Sequence, residues 1–300
     1  MALVTDIHTD TPSQATGYAG AVVTVLIWAA WMLATRQSAA TSLNSIDIGL
    51  IRFGIPALVL APVWWRTGLL PRGVPLRILL PMVAGSGIVF LHVAATALQV
   101  TPAGPAAILL GGAMPLATAL IGILLFGERP DRMRLLGLSG IVAGVAILLA
   151  GSLTGSGMTL GGLVLLPLGA LLWAGFTHAF RRSGLSALQG AAIIAAWSFL
   201  LNLPLVAVFG QHVTQASLAE LLPQVLSQGI LSGLVATLAY GTAIRALGGS
   251  QAAAFTALTP VLATLGSGYL LGEPVGLTAL LAALVTGAGV ALSTGILSKA

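Results

Sequence analysis

Chemistry-bearing side chains are scarce in this chain, and the scarcity limits what it can do. Seven carboxylates, four histidines and no cysteine are spread over 300 residues. Thiolate, disulfide and zinc–thiolate chemistry are therefore out of reach. His8, His92, His178 and His212 have no companion carboxylates in the long apolar runs, so no acid–base pair, metal set or cofactor is expected and an enzyme is disfavoured. What remains is recognition chemistry. Arg52 is the one charge inside an apolar run, LIRFGIPALVL, and such a charge is costly unless it is used or paired. Three roles stay open for it: reaching outward to lipid headgroups, pairing with a backbone carbonyl or Asp47, or offering its guanidinium fork to a substrate carboxylate.

Aromatic residues come next. Trp28 and Trp31 lie three apart, on one face of a helix; a shift of 145 residues takes them to Trp173 and Phe176. Rings facing inward would line an apolar pocket suited to indole or phenyl groups. Lipid-facing or packing bulk is the competing reading. Trp197 and Tyr240 are weaker candidates on the same logic. The polar residues His92, Thr96, Gln99, Thr177, His178, Asn202, Thr237 and Tyr240 also fall inside apolar runs. His92 is either a proton-sensitive group or a histidine hydrogen-bonded between helices.

These side chains must be positioned in a membrane. Hydrophobic residues make up 57% and charged residues 6%, against roughly 25% charged in a soluble domain. No soluble fold hides that much apolar surface. Segments of about 20 apolar residues, broken by Pro, Gly and charges, give ten spans: 17–37, 46–66, 76–98, 103–126, 133–151, 160–181, 187–210, 222–246, 250–271 and 276–297. Residues 1–16 carry no basic start or cleavage pattern and read as a short soluble tail.

Counting alternate loops as one side places Arg66, Arg72, Arg77, Arg129, Arg132, Arg134, Arg181, Arg182, Arg245 and Lys299 together, with only Arg36 opposite. The positive-inside rule then puts both termini in the cytoplasm. The net charge of +5 is explained by that distribution, so no nucleic-acid partner is implied. Trp64 and Trp65 beside Arg66 suit an interfacial anchor.

The chain is also internally duplicated. The same 145-residue shift takes Arg36 to Arg181, Pro115 to Pro260, Gly127-Glu128 to Gly272-Glu273 and Ala143-Gly144-Val145-Ala146 to Ala288-Gly289-Val290-Ala291. Residues 17–151 and 160–297 are thus two five-helix repeats. Five is odd, so the second copy must enter the bilayer inverted. The expected fold is an all-α membrane protein of ten transmembrane helices in two inverted repeats, the usual construction of a secondary transporter.

Pro115 and Pro260 fall mid-span in the fourth and ninth spans, where each removes a helix hydrogen bond; paired bends that gate the path are expected, with simple packing as the alternative. Glu128 and Glu273 follow helix-ending glycines and read as amino-terminal caps of the fifth and tenth spans. No carboxylate lies deep in a span, which favours facilitated movement over strict proton exchange. Gly140 and Gly144, with Ala283, Gly287 and Gly289, allow close helix approach. Both repeats are already fused, so a monomer is expected.

IWAAW, LIRFGIPALVL and AMPLATALIGILLFGERPDRMRLLGLSGIVAGVAIL in the first copy, and GALLWAGFTHAFRR, AYGTAIRALGGSQAAAFTALTPVLATLGSGYLLGEP and TGAGVAL in the second, resemble the drug/metabolite transporter superfamily in its ten-helix EamA-type branch. Within it the pattern is most similar to the amino-acid exporters. The resemblance implies an inner-membrane carrier with a central cavity between its halves, exporting small metabolites. Amino acids with aromatic or apolar side chains suit Arg52 beside Trp28 and Trp173. Export of other metabolites or drugs, or a membrane binding protein that transports nothing, are the alternatives.

Overall fold

In the computed structural model, which describes residues 13–152, 158–247 and 249–294, every regular element of the described residues is helical. The first half comprises α1 (Gln14–Gln37), α2 (Ser45–Val59), α3 (Ala61–Thr67), α4 (Leu76–Ser86), α5 (Ile88–Val100), α6 (Ala103–Phe126) and α7 (Arg132–Ser152). The second holds α8 (Leu160–Ser183), α9 (Ala187–Phe209), α10 (Leu218–Gln224), a π-helical stretch Val225–Val235, α11 (Ala236–Leu247), α12 (Gly249–Phe255), a 3-10 turn, α13 (Thr259–Leu271) and α14 (Leu277–Ser293). Residues 1–12, residues 295–297 of the last expected span, Lys299 and the side chain of Arg245 lie outside the described set.

Polar side chains start these helices. Ser13 accepts the Thr16 N–H, so α1 begins three residues ahead of the expected span. Asn44 and Asp47 exchange bonds as a capping box on α2, and Ser186 with Gln189 does the same on α9. Glycine ends them: Gly127 (φ 65°) closes α6 and Gly272 (φ 64°) closes α13, in the left-handed region open to glycine without penalty.

Eight of the described helical segments are long and apolar enough to cross a membrane, and nine if α2 with α3 forms one span. That pair, expected as a single straight segment, bends by 73°. Pro62 has no N–H to give the Leu58 carbonyl at the break, and the Trp64 indole N–H donates to the Ala57 carbonyl at 2.7 Å. Trp64 therefore braces a bend, while Trp65 stays exposed. The tenth expected span is α14, of only 17 residues.

The third and eighth expected spans are also interrupted. Gly87 separates α4 from α5, and Ser198 Oγ accepts the Ile88 N–H at 3.1 Å across the gap. At the equivalent depth the eighth span runs as π-helix, a departure common at functional sites. Pro115 lies inside an unbroken α6, whereas Pro260 opens α13 directly after the 3-10 turn. The paired prolines are thus housed differently in the two halves.

Packing interlocks the halves. α1 lies against α11 and α13, and its counterpart α8 lies against α4, α5 and α6. α2 packs on α9, and α7 on α14. In the last pair a Cβ on Gly144 would stand 2.6 Å from the Thr286 backbone nitrogen, and one on Gly289 2.5 Å from that of Ile141. Only glycine allows the two backbones to come so close.

Candidate functional site

Aromatic rings from both halves meet at the centre. Trp28 on α1 stands edge-on to Trp173 on α8, centroids 6.3 Å apart, and tilts against Tyr240 on α11 at 5.3 Å. Trp173 continues to Phe176 at 5.1 Å and to Phe90 on α5 at 5.5 Å, and Phe90 stacks on Trp31 at 6.4 Å. Spacings of 4.5–7 Å in tilted or offset geometry are the favourable ones. The rings fill the space between the halves with each other. A cleft of about 200 Å³ lies elsewhere, between α4 and α8, lined only by apolar residues such as Pro81, Gly85, Leu168 and Leu172. The Trp31 indole nitrogen and His92 Nε2 are buried without a partner.

Beside the rings runs a polar seam between α1, α2 and the π-helical stretch. Gln228 Nε2 donates to Thr35 Oγ1 at 2.8 Å, and Gln224 Nε2 donates to the Ala34 carbonyl at 2.7 Å. Arg52 reaches this seam, its Nη1 donating to the Gln228 carbonyl at 3.4 Å. The Gln228 Oε1, Ser227 Oγ and Ser232 Oγ atoms are buried and unpartnered, an expensive condition for polar atoms. Asp47 is not the partner of Arg52. Its carboxylate takes the N–H groups of Asn44, His212 and Val213 and lies 3.3 Å from His212 Nδ1, pinning the 211–213 loop to the start of α2.

Ion pairs close both ends of α6. Arg36 Nε meets Glu273 Oε1 at 2.8 Å, while Glu273 Oε2 accepts the Ala103 N–H at 2.8 Å. Arg36 Nη1 adds the Gln99 carbonyl. At the far end Arg181 Nη1 stands 3.5 Å from Glu128 Oε1, and Arg134 stands 3.6 Å from Glu128 Oε2. The Arg36 and Glu273 side chains are 29% and 12% exposed, but Arg181 is 66% exposed. Removing one partner of a buried pair costs up to about 3–5 kcal/mol; exposed pairs contribute at most about 1 kcal/mol. Neither glutamate caps the helix that follows it, as the sequence suggested. Asp131 caps α7 at the Arg134 N–H, α14 has no side-chain cap, and Glu273 caps α6 instead.

A model of the EamA-like transporter family matches residues 15–150 and 160–295. The chain belongs to that family. A probable amino-acid metabolite efflux pump of Salmonella typhimurium is 29% identical over 183 residues, covering 57% of this chain and 60% of that protein. A solved crystal structure superposes on 96% of this EamA-like chain and 99% of its own length, at 21% identity and a TM-score of 0.63. At that identity the likeness speaks for the fold alone.

Of the side chains singled out in the EamA-like sequence, Trp28, Trp31, Trp173, Phe176 and Tyr240 come together. Arg52 sits apart on the polar seam. His92 lies beside Asn202, apart from both groups. Gln99 stands at the end of α5, lending its carbonyl to Arg36 and its amide to Ser38 Oγ at 3.4 Å. Pro260 packs on α6 against Gly111. Thr96 is exposed, and His178 Nε2 donates to the Thr118 carbonyl at 3.0 Å beside Phe126. Phe90, Gln224 and Gln228 carry no signature of the repeat in the sequence, since their positions in the other copy hold Val235, Leu79 and Val83.

Proposed function

We propose that the chain is an inner-membrane secondary transporter that exports small metabolites, foremost amino acids with aromatic or apolar side chains. The observation that carries the reading is the Trp28–Trp173 contact, which brings equivalent helices of the two repeats together at an aromatic centre. An apolar or aromatic side chain can replace ring–ring contacts there with its own. The Arg52 guanidinium, with a single long bond to the Gln228 carbonyl, keeps donors for a carboxylate. The named relative from Salmonella typhimurium points the same way.

Movement occurs by alternating access between two inverted five-span repeats, with α2 and α3 together forming the second span and α14 the tenth. In support, the two Arg–Glu pairs lie at opposite ends of α6, about 36 Å apart along a helix of 24 residues, as two oppositely inserted copies require. Both termini face the cytoplasm, and one chain suffices. Among the described residues no carboxylate stands at the level of the rings, which supports facilitated diffusion or a loosely coupled carrier over strict proton exchange.

The test is flux of labelled amino acids into liposomes holding the purified protein, with and without a pH gradient. Saturable, stereoselective movement of aromatic or apolar amino acids, indifferent to the gradient, is expected. Absence of any amino-acid flux would overturn the substrate class; gradient-driven flux would overturn the facilitative mechanism and return attention to His92.

A further inference from the structure

The ion pairs at the two ends of α6 are each other's counterparts. The 145-residue shift that relates the repeats takes Arg36 to Arg181 and Glu128 to Glu273. Each arginine pairs with the glutamate of the opposite repeat: Arg36 with Glu273, and Arg181 with Glu128. Both bonds therefore tie one half of the molecule to the other. Each glutamate is presented by the same local device, a left-handed glycine at φ 65° or 64° whose following N–H turns back to the residue six positions earlier, Gly122 for Glu128 and Ser267 for Glu273.

Equivalent parts are in unequal states. The Arg36–Glu273 pair is short, largely shielded, and fastened further to the start of α6 and the end of α5. The Arg181–Glu128 pair is long, open to solvent and shared with Arg134. The four paired residues are identical in type in the two halves, although Arg134, which shares Glu128, has Ala279 as its counterpart. A symmetric machine caught in one of two alternative poses would look like this, since packed interfaces are bistable and do not deform continuously.

We infer that Arg36–Glu273 and Arg181–Glu128 are paired latches of the transport cycle, the first engaged and the second slack in this structure, and that engaging one releases the other. The inference rests on the transport reading but not on any particular substrate. Because each pose keeps one tight latch, neither pose loses both bonds, and the two stay close in free energy so that a modest ligand preference can shift the population. Arg36, Glu273, Arg181 and Glu128 are positioning residues here; none is placed against the cargo.

The absence of native cysteine permits a direct test. Ser38 and Ser183 are repeat counterparts, each just beyond its arginine and each bonding back to the carbonyl three residues earlier. Ser38→Cys and Ser183→Cys, in separate chains, serve as reporters for a membrane-impermeant maleimide applied to spheroplasts or to inverted vesicles. With both latches intact, position 38 should label slowly from outside. Adding Glu273→Gln should raise that rate about tenfold and lower the rate at position 183 from inside, the population having moved between poses. Arg36→Glu with Glu273→Arg should restore both rates. A rise at position 38 with no fall at 183, or no change at either, would overturn the inference and leave the pair a local strut. Should Glu273→Gln fail to reach the membrane, Arg36→Lys, which keeps charge but loses the fork, is read by the same reciprocal criterion. Flux measured on the parent chain separates a failed latch from a failed transport reading.

Discussion

Trp28 and Trp173 stand 145 positions apart in the chain, yet their rings meet edge to face with centroids 6.3 Å apart. The duplication thus places a residue in contact with its own copy, which happens only close to the axis relating the halves. A side chain on that axis is handled by both repeats at once. Residues that exist in one copy only, such as Arg52, Gln228 and Tyr240, surround this shared centre unsymmetrically and can orient an unsymmetrical guest.

Trp28→Ala is expected to lower the initial flux of aromatic amino acids by about tenfold, the scale set by losing an aromatic pair and its packing. Trp28→Phe should stay within about threefold, because a ring remains. Initial rates in liposomes, normalised to reconstituted protein, distinguish the two. Equal loss in both variants would contradict a role for ring contacts.

Arg52→Gln should reduce flux of amino acids by on the order of a hundredfold while sparing the corresponding amines, which lack the carboxylate. Arg52→Lys should rescue poorly, since an ammonium cannot form the fork. Parallel loss for amino acid and amine would mean that Arg52 only packs against the Gln228 carbonyl.

Gly144→Val should destabilise the α7–α14 contact by about 1–3 kcal/mol through overpacking against Thr286. Gly175→Ala on α8 is the control, because nothing lies within 4 Å of the added carbon. Thermal unfolding in detergent should show a clear drop for the first and none for the second.

Asp47→Asn should cost about 2–3 kcal/mol, because a buried carboxylate accepting three backbone N–H groups becomes a neutral amide with one oxygen. Protease added from outside should then cleave the 211–217 loop faster. An unchanged cleavage rate would mean that the loop is held by other contacts.

Pro260→Ala should slow transport more than Pro115→Ala, since Pro260 follows a break in its helix and Pro115 sits in a continuous one. Comparable flux in both variants would argue that the break at Thr256–Leu258 persists without proline.

Much of this was legible from spacing alone. Paired Trp, Pro and Gly-Glu residues announced the duplication, and the apolar runs announced the helices. The bend at Leu60 and the break at Gly87 were not, because an apolar run reads the same whether its helix is straight or interrupted. The polar seam was hidden by the π-helical stretch, which changes the angular step between residues, so a regular helical wheel misplaces Gln228. Arg36 and Glu273 were each visible as copies of another residue. Their bond was not, since it joins positions 237 apart and crosses between repeats.

The contact of α7 with α14 also bears on how the protein is made. α7 ends at Ser152, and α14 does not begin until Leu277. Synthesis at about 5–20 residues per second leaves on the order of ten seconds between them. During that time the glycine face of α7 meets lipid or a holding factor of the insertion machinery, and the first half cannot reach its final packing. Completion of the first repeat therefore waits for the last helix of the second, and a chain that stops before Leu277 leaves the glycine face of α7 without its partner.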